Sequence, residues 1–267
     1  MILKTKNIYL IFLLGLVSIV IYLFWGPLFP WSPIKIGYTK INSAKATVYV
    51  NDITEKDSVV YRIQKIINKT EEFHDLQYVD NFKIIVLDKE SNNKRYLPWL
   101  NGSGYSVSVS PINLIYIGAN ARKSPSGLES YLKHEMSHLL IDQNTSFKKA
   151  MKIHKQVWFV EGIAEYFSGH SFYSKNDLME LIKLNNIQLP SVQEKSPQDM
   201  SWQELQLEYS YYKYFIEFLV ETHRIKTLQE FMKFYINDPI NYKDSFIKVY
   251  LVDLDEIFKK YNSTLIK

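Results

Sequence analysis

The run Ile8–Trp25 (IYLIFLLGLVSIVIYLFW) places eighteen residues in a row without one charge. As a helix rising about 1.5 Å per residue it spans roughly 27 Å, close to the hydrocarbon thickness of a bilayer. Lys4 and Lys6 precede it, and Tyr9, Tyr22 and Trp25 lie near its ends, where interfacial aromatics are favoured. The positive-inside rule then puts the N-terminus in the cytoplasm and the following residues outside the cell membrane, in a single-pass arrangement. The continuation Gly26-Pro27-Leu28-Phe29-Pro30-Trp31 is bulky and lacks the small residues of a signal-peptide cleavage site, which favours a retained anchor over a cleaved signal. The expected organisation is a cytoplasmic tip and anchor over 1–29, a linker over 30–44, and an extracytoplasmic domain over 45–267.

That domain has the composition of a folded one. Hydrophobic residues make up 46% of the 267 and charged residues 22%, which excludes a disordered chain. The balance of 32 basic against 28 acidic residues leaves +4, too little for a dedicated nucleic-acid binder. The chain has no cysteine, so disulfides, thiol nucleophiles, iron–sulfur clusters and cysteine-type zinc fingers are excluded. Any metal must be held by His, Asp and Glu.

Periodicity predicts an α+β fold, with a small mixed β-sheet lobe followed by a mainly helical one. Strands are expected at 46–50, 82–87, 104–110 and 112–117, with an amphipathic helix over 57–73. Beyond Ser126 the strand signal fades, and helices are expected at 126–143, 156–168, 174–186, 209–222, 227–236 and 253–261. A break near residue 144 divides the sheet and its last helix (45–143) from the helical lobe (144–267).

One constellation carries chemistry. His134-Glu135-Met136-Ser137-His138 is an H-E-x-x-H sequence inside an expected helix, where positions four apart share a face, so both imidazoles can reach one ion. Glu135 beside them is placed for general acid/base work on a metal-activated water. Zinc suits imidazole and carboxylate ligands with one open position, although manganese or cobalt would fit the same residues. A third ligand is needed. In the apolar stretch Trp158–Phe167, Glu161 and Glu165 stand one turn apart, and carboxylates in such a surface are costly unless they bind metal or accept charge-assisted hydrogen bonds. Glu161 is the expected third ligand, and Glu165 the group that orients a ligand histidine through its other ring nitrogen. His154, His170 and His223 fall outside ligand spacing and are expected as surface or hydrogen-bonded histidines, with His170 a distant reserve ligand. His74 is expected as a favourable cation at a helix C-terminus. Asp142 is expected as a helix-end residue, with a contact to His138 as the alternative.

The pairing of H-E-x-x-H with Trp158-Phe159-Val160-Glu161-Gly162-Ile163-Ala164-Glu165-Tyr166 resembles the gluzincin metallopeptidases, in particular peptidase MA-like domains related to the aminopeptidase N and thermolysin groups. The resemblance implies one zinc ion on His134, His138 and Glu161, a peptide or protein substrate, and hydrolysis of peptide bonds. The 22 residues between His138 and Glu161 are a longer connection than in aminopeptidase N. Relatives of that enzyme carry a downstream helical tyrosine that stabilises the oxyanion. In Tyr209-Ser210-Tyr211-Tyr212-Lys213 the matching residue is Tyr209, with Tyr212 or Tyr211 as alternatives. The strand before the H-E-x-x-H helix, Asn113 to Gly118, is expected to be the sheet edge that pairs with extended substrate. The segment that binds a free α-amino group in aminopeptidase N is absent, which favours an endopeptidase. The competing reading is a catalytically inactive scaffold of the same fold that binds peptides or envelope components.

Overall fold

The computed structural model describes residues 5–32, 34–51, 56–87, 89, 96, 106–123, 127–185, 189, 190, 192 and 200–266. Helix α1 (Thr5–Trp25) is followed by a 3-10 turn at Phe29–Trp31, then strands β1 (Thr39–Asn42) and β2 (Ala46–Val50), helix α2 (Lys56–His74) and β3 (Phe82–Val86). Next come β4 (Ser106–Val109), β5 (Leu114–Ile117), α3 (Ala119–Lys123) and α4 (Gly127–Gln143). The remainder is helical: α5 (Phe147–Ile153), α6 (Val157–Ser168), α7 (Lys175–Asn185), α8 (Trp202–Asn237), α9 (Tyr242–Tyr250) and α10 (Leu254–Ile266). The chain is thus a mixed α+β structure with one small sheet and an N-terminal apolar helix. Within α1, Asn7–Trp25 is long and apolar enough to cross a membrane, with a mean hydropathy of 2.6 and none of it buried in the protein.

The sheet order is β1-β2-β3-β5-β4. The central pairs β2–β3 and β3–β5 are parallel, while β1 and β4 are antiparallel to their neighbours. This order corrects the expected edge. All of Leu114, Ile115, Tyr116 and Ile117 are buried, because β5 lies inside the sheet, and such an unbroken apolar run is what a strand covered on both faces requires. A 3-10 turn at Ser110–Ile112 and a left-handed Asn113 (φ 48°) fold β4 back against the far side of β5, so that β4 is the outer strand.

Alternation along the strands feeds two cores. Phe82, Ile84, Val86, Ile115 and Ile117 pack under α2 and α4 against Ile63, Leu132, Met136 and Leu139. Ile85, Leu114 and Tyr116 point to the opposite face and meet Phe29. Within the stretch 30–44, expected as a linker, lies β1, and Phe29 just before it is fully buried.

The helical lobe has its own core around Trp158, Phe159, Phe215, Phe231, Tyr235 and Phe246. Helix α8 opens with a capping box, Ser201 accepting from the Glu204 N–H while Glu204 accepts from the Ser201 N–H. The two helices expected at 209–222 and 227–236 both lie within it, separated by a kink at Arg224 (φ 71°, ψ 156°). Helices α5 and α9 lie in stretches expected to be connections.

His74 departs from expectation. It is completely buried at the end of α2, with Nδ1 2.8 Å from the Thr70 carbonyl and Nε2 2.7 Å from Ser137 Oγ. A carbonyl only accepts, so Nδ1 carries the proton and Nε2 accepts from Ser137. Burial holds the ring neutral, its pKa lowered to about 4. It is a neutral tie between α2 and α4, not a cation at a helix end.

Candidate metal centre

Helix α4 carries His134 and His138 on the face turned toward α6, and its apolar face, through Leu132, Met136, Leu139 and Leu140, rests on the sheet core. Their Nε2 atoms are 3.0 Å apart. Glu161 of α6 sends Oε2 to 3.3 Å from His134 Nε2 and 3.4 Å from His138 Nε2. These three atoms form a nearly equilateral triangle. An ion bonded at roughly 2.0–2.1 Å in a tetrahedral site requires ligand atoms about 3.3–3.4 Å apart, so the triangle has the size of one face of a zinc tetrahedron. Glu161 Oε2 is also buried without an aligned hydrogen-bond partner, which is the condition of a ligand atom waiting for a cation. The donor set and its dimensions fit zinc.

Glu161 reaches this point because α6 packs closely on α8. A Cβ on Gly162 would stand 3.0 Å from both Ile216 Cγ1 and the Tyr212 carbonyl oxygen, so glycine suits this close approach of the two helices.

Glu165 sits one turn further along α6. Its Oε1 is 3.5 Å from His134 Nδ1, and its Oε2 is 2.7 Å from His170 Nδ1. The left-handed Gly169 (φ 74°) closes α6 and turns the chain back, and Ser168 Oγ accepts from the His170 N–H at 3.0 Å. His170 is thereby buried and hydrogen-bonded to Glu165, the second of the two places expected for it. Asp142 contacts His154, Oδ1 to Nε2 at 2.8 Å, and accepts from Ser110 Oγ, so it serves His154 and not His138.

Three carboxylates, Glu135, Glu161 and Glu165, crowd two imidazoles. Although burial opposes it, the neighbouring carboxylates Glu161, Glu165 and Glu135 raise His134 to about 10. Burial also opposes ionisation of Glu161, yet His138 and His134 hold it well below the usual carboxylate range. A divalent cation at this point would be compensated by the neighbouring carboxylates.

Glu135 is buried beside the two histidines, and its Oε1 accepts a 2.7 Å hydrogen bond from Ser106 Oγ on β4. The downstream tyrosines separate clearly. Tyr211 donates to Asn262 and Tyr212 to Glu208 (3.2 Å), both inside the helical core. Tyr209 faces the centre: burial, the charges of Glu161 and Glu165, a hydrogen bond to Glu161 and the charge of Glu135 all push its pKa well above the ordinary phenol value. The structure thus brings His134, Glu135, His138, Glu161, Glu165 and Tyr209 into one site.

Sequence reasoning missed Ser106. The signal for Ser106 was present: Ser106, Ser108 and Ser110 alternate with Val107 and Val109, so one face of this strand is polar throughout. No protein-family model and no curated protein matches this chain.

Proposed function

We propose that this chain is a membrane-anchored zinc metallopeptidase of the gluzincin type, acting as an endopeptidase outside the cell membrane, with α1 as a retained anchor and Lys4 and Lys6 on the cytoplasmic side. The observation that carries the reading is the His134–His138–Glu161 triangle, with edges of 3.0, 3.3 and 3.4 Å, next to a buried Glu135.

When bound, zinc acidifies a water and polarises a carbonyl. Glu135 takes a proton from the attacking water and passes it to the leaving amine, with Ser106 fixing one of its oxygens so that the other faces the reaction. Tyr209, kept protonated by its surroundings, donates to the developing oxyanion, a contribution of roughly 2.7–4 kcal/mol in comparable sites. Glu165 holds the ring of His134. An extended peptide would add to the outer side of β4, the strand that carries Ser106 and, among the described residues, the last of the sheet, instead of to β5.

The test is metal content by mass spectrometry on the full chain in detergent, together with His138→Ala and Glu161→Ala, and peptide-library cleavage by the wild type and Glu135→Gln. One zinc per chain, lost in both ligand variants, with cleavage abolished in a zinc-loaded Glu135→Gln variant, is the expected result. Zinc bound without any Glu135-dependent cleavage, or a folded, zinc-supplied chain without metal, overturns the peptidase and supports the inactive scaffold instead.

A further inference from the structure

Between α1 and β1 the chain is laid down with a period of three. Phe29, Ser32 and Lys35 are 0%, 5% and 5% exposed, while Leu28, Trp31 and Ile34, each one residue earlier, are 37%, 54% and 62% exposed. Three is the period of the 3-10 turn Phe29–Trp31 from which the segment starts. One strip of side chains is therefore turned into the sheet and the opposite strip outward.

The inner strip is built in. Phe29 stacks on Tyr96 with ring centroids 4.1 Å apart and fills the sheet face beside Ile85 and Tyr116. The Lys35 ammonium donates to the Ser32 carbonyl and lies 5.0 Å from the Phe29 ring and 5.6 Å from the Tyr49 ring. Ser32 Oγ donates to the Ile34 carbonyl at 2.6 Å. The outer strip is consequently held in place, and it is apolar: Leu28, Trp31 and Ile34, continued by Ile36 at 46% exposure.

Lys35 is the only charged residue between Lys6 and Lys40, and it points inward. A water-facing surface does not spend its one charge on the interior while exposing tryptophan and isoleucine. The strip also begins within one turn of the apolar helix, since the Leu28 N–H donates to the Tyr22 carbonyl at 3.1 Å. Tryptophan and aliphatic side chains on a fixed turn next to a membrane span match the boundary between headgroups and acyl chains.

We infer that Leu28, Trp31, Ile34 and Ile36 are seated in the interfacial layer of the bilayer entered by α1, so that the domain rests on the membrane instead of hanging from a flexible stalk. The inference rests on the anchor part of the reading above and is independent of catalysis. It narrows the substrate class to segments presented close to the membrane surface.

The chain has no cysteine, so single-cysteine labels report unambiguously. Full-length Leu14→Cys, Trp31→Cys, Ile34→Cys and Leu184→Cys chains carry an environment-sensitive fluorophore in phosphatidylcholine vesicles with and without dibrominated lipid. Leu184, 74% exposed on the helical lobe, is the aqueous control. The expected result is blue-shifted, bromolipid-quenched emission at positions 14, 31 and 34, and aqueous, unquenched emission at 184. Quenching at 14 with aqueous emission at 31 and 34 overturns the seat and leaves the anchor standing. Dry but unquenched labels at 31 and 34 mean that a protein covers the strip, and also overturn it. An unquenched label at 14 removes the anchor and the seat together.

Discussion

Ser106 Oγ, on the outer strand of the sheet, donates a 2.7 Å hydrogen bond to Oε1 of Glu135, in the middle of the H-E-x-x-H helix. Hydrogen bonds to charged groups contribute about 1.5–3 kcal/mol. In the proposed peptidase, Ser106→Ala is expected to lower kcat by roughly 10- to 100-fold at unchanged zinc content and nearly unchanged KM. Ser106→Thr, which keeps the hydroxyl, should restore most of it. Equal rates for the wild type and Ser106→Ala on a cleaved peptide would remove Ser106 from the machinery.

His74 gives stability a pH dependence of definite sign. Burial lowers its pKa from an ordinary 6.5 to about 4 in the folded chain. Between those values the unfolded chain binds a proton that the folded chain refuses, so stability is complete above pH 6.5 and falls as the pH drops toward 4. At 1.36 kcal/mol per pH unit the loss approaches about 3 kcal/mol. Urea melts of the wild type and His74→Gln across this range check it: the variant should be less stable at pH 7 and flatter below 6.5. Parallel curves for the two proteins would contradict the assignment.

Gly162→Ala inserts a methyl group 3.0 Å from Ile216 and from the Tyr212 carbonyl, and the latter, being backbone, yields poorly. The expected cost is about 1–3 kcal/mol, read by calorimetry as a lower Tm. Because α6 must move away from α8, the neighbouring Glu161 shifts as well, and zinc affinity in chelator competition should fall with it. An unchanged Tm would show that the helices do not approach this closely.

Phe29 fixes where a soluble form of the chain can start. A chain beginning at Gly26 keeps the stacked Phe29–Tyr96 pair, and one beginning at Trp31 loses it. Removing a buried phenylalanine costs about 3–5 kcal/mol, so the shorter chain should show a clearly lower urea midpoint. Equal midpoints would mean that Phe29 lies outside the cooperative unit.

Local signals in the sequence located most helices, because i and i+4 spacing and apolar stripes are properties of short windows. The helix holding His134 and His138 and the one holding Glu161 and Glu165 were legible for that reason. What depends on long-range pairing was not. Whether β5 or β4 is the outer strand is decided by β3 pairing with residues 114–117 across a long crossover, which no window contains. Thr39–Asn42 offers one apolar residue, Ile41, and becomes a strand only because β2 pairs with it. Helix α5, FKKAMKI, reads as a basic loop until Ala150 and Ile153 are seen to be buried. His74 was misjudged because a histidine's charge follows from its burial and its partners, neither of which the sequence displays.

The three ligand candidates come from different cores. His134 and His138 ride on a helix whose apolar side belongs to the sheet, and Glu161 on one whose neighbours Trp158, Phe159 and Ile163 belong to the helical lobe. An ion gripped by all three is a rivet through the seam between them. In the proposed peptidase, drawing it out with a chelator is therefore expected to lower the melting temperature of the whole chain.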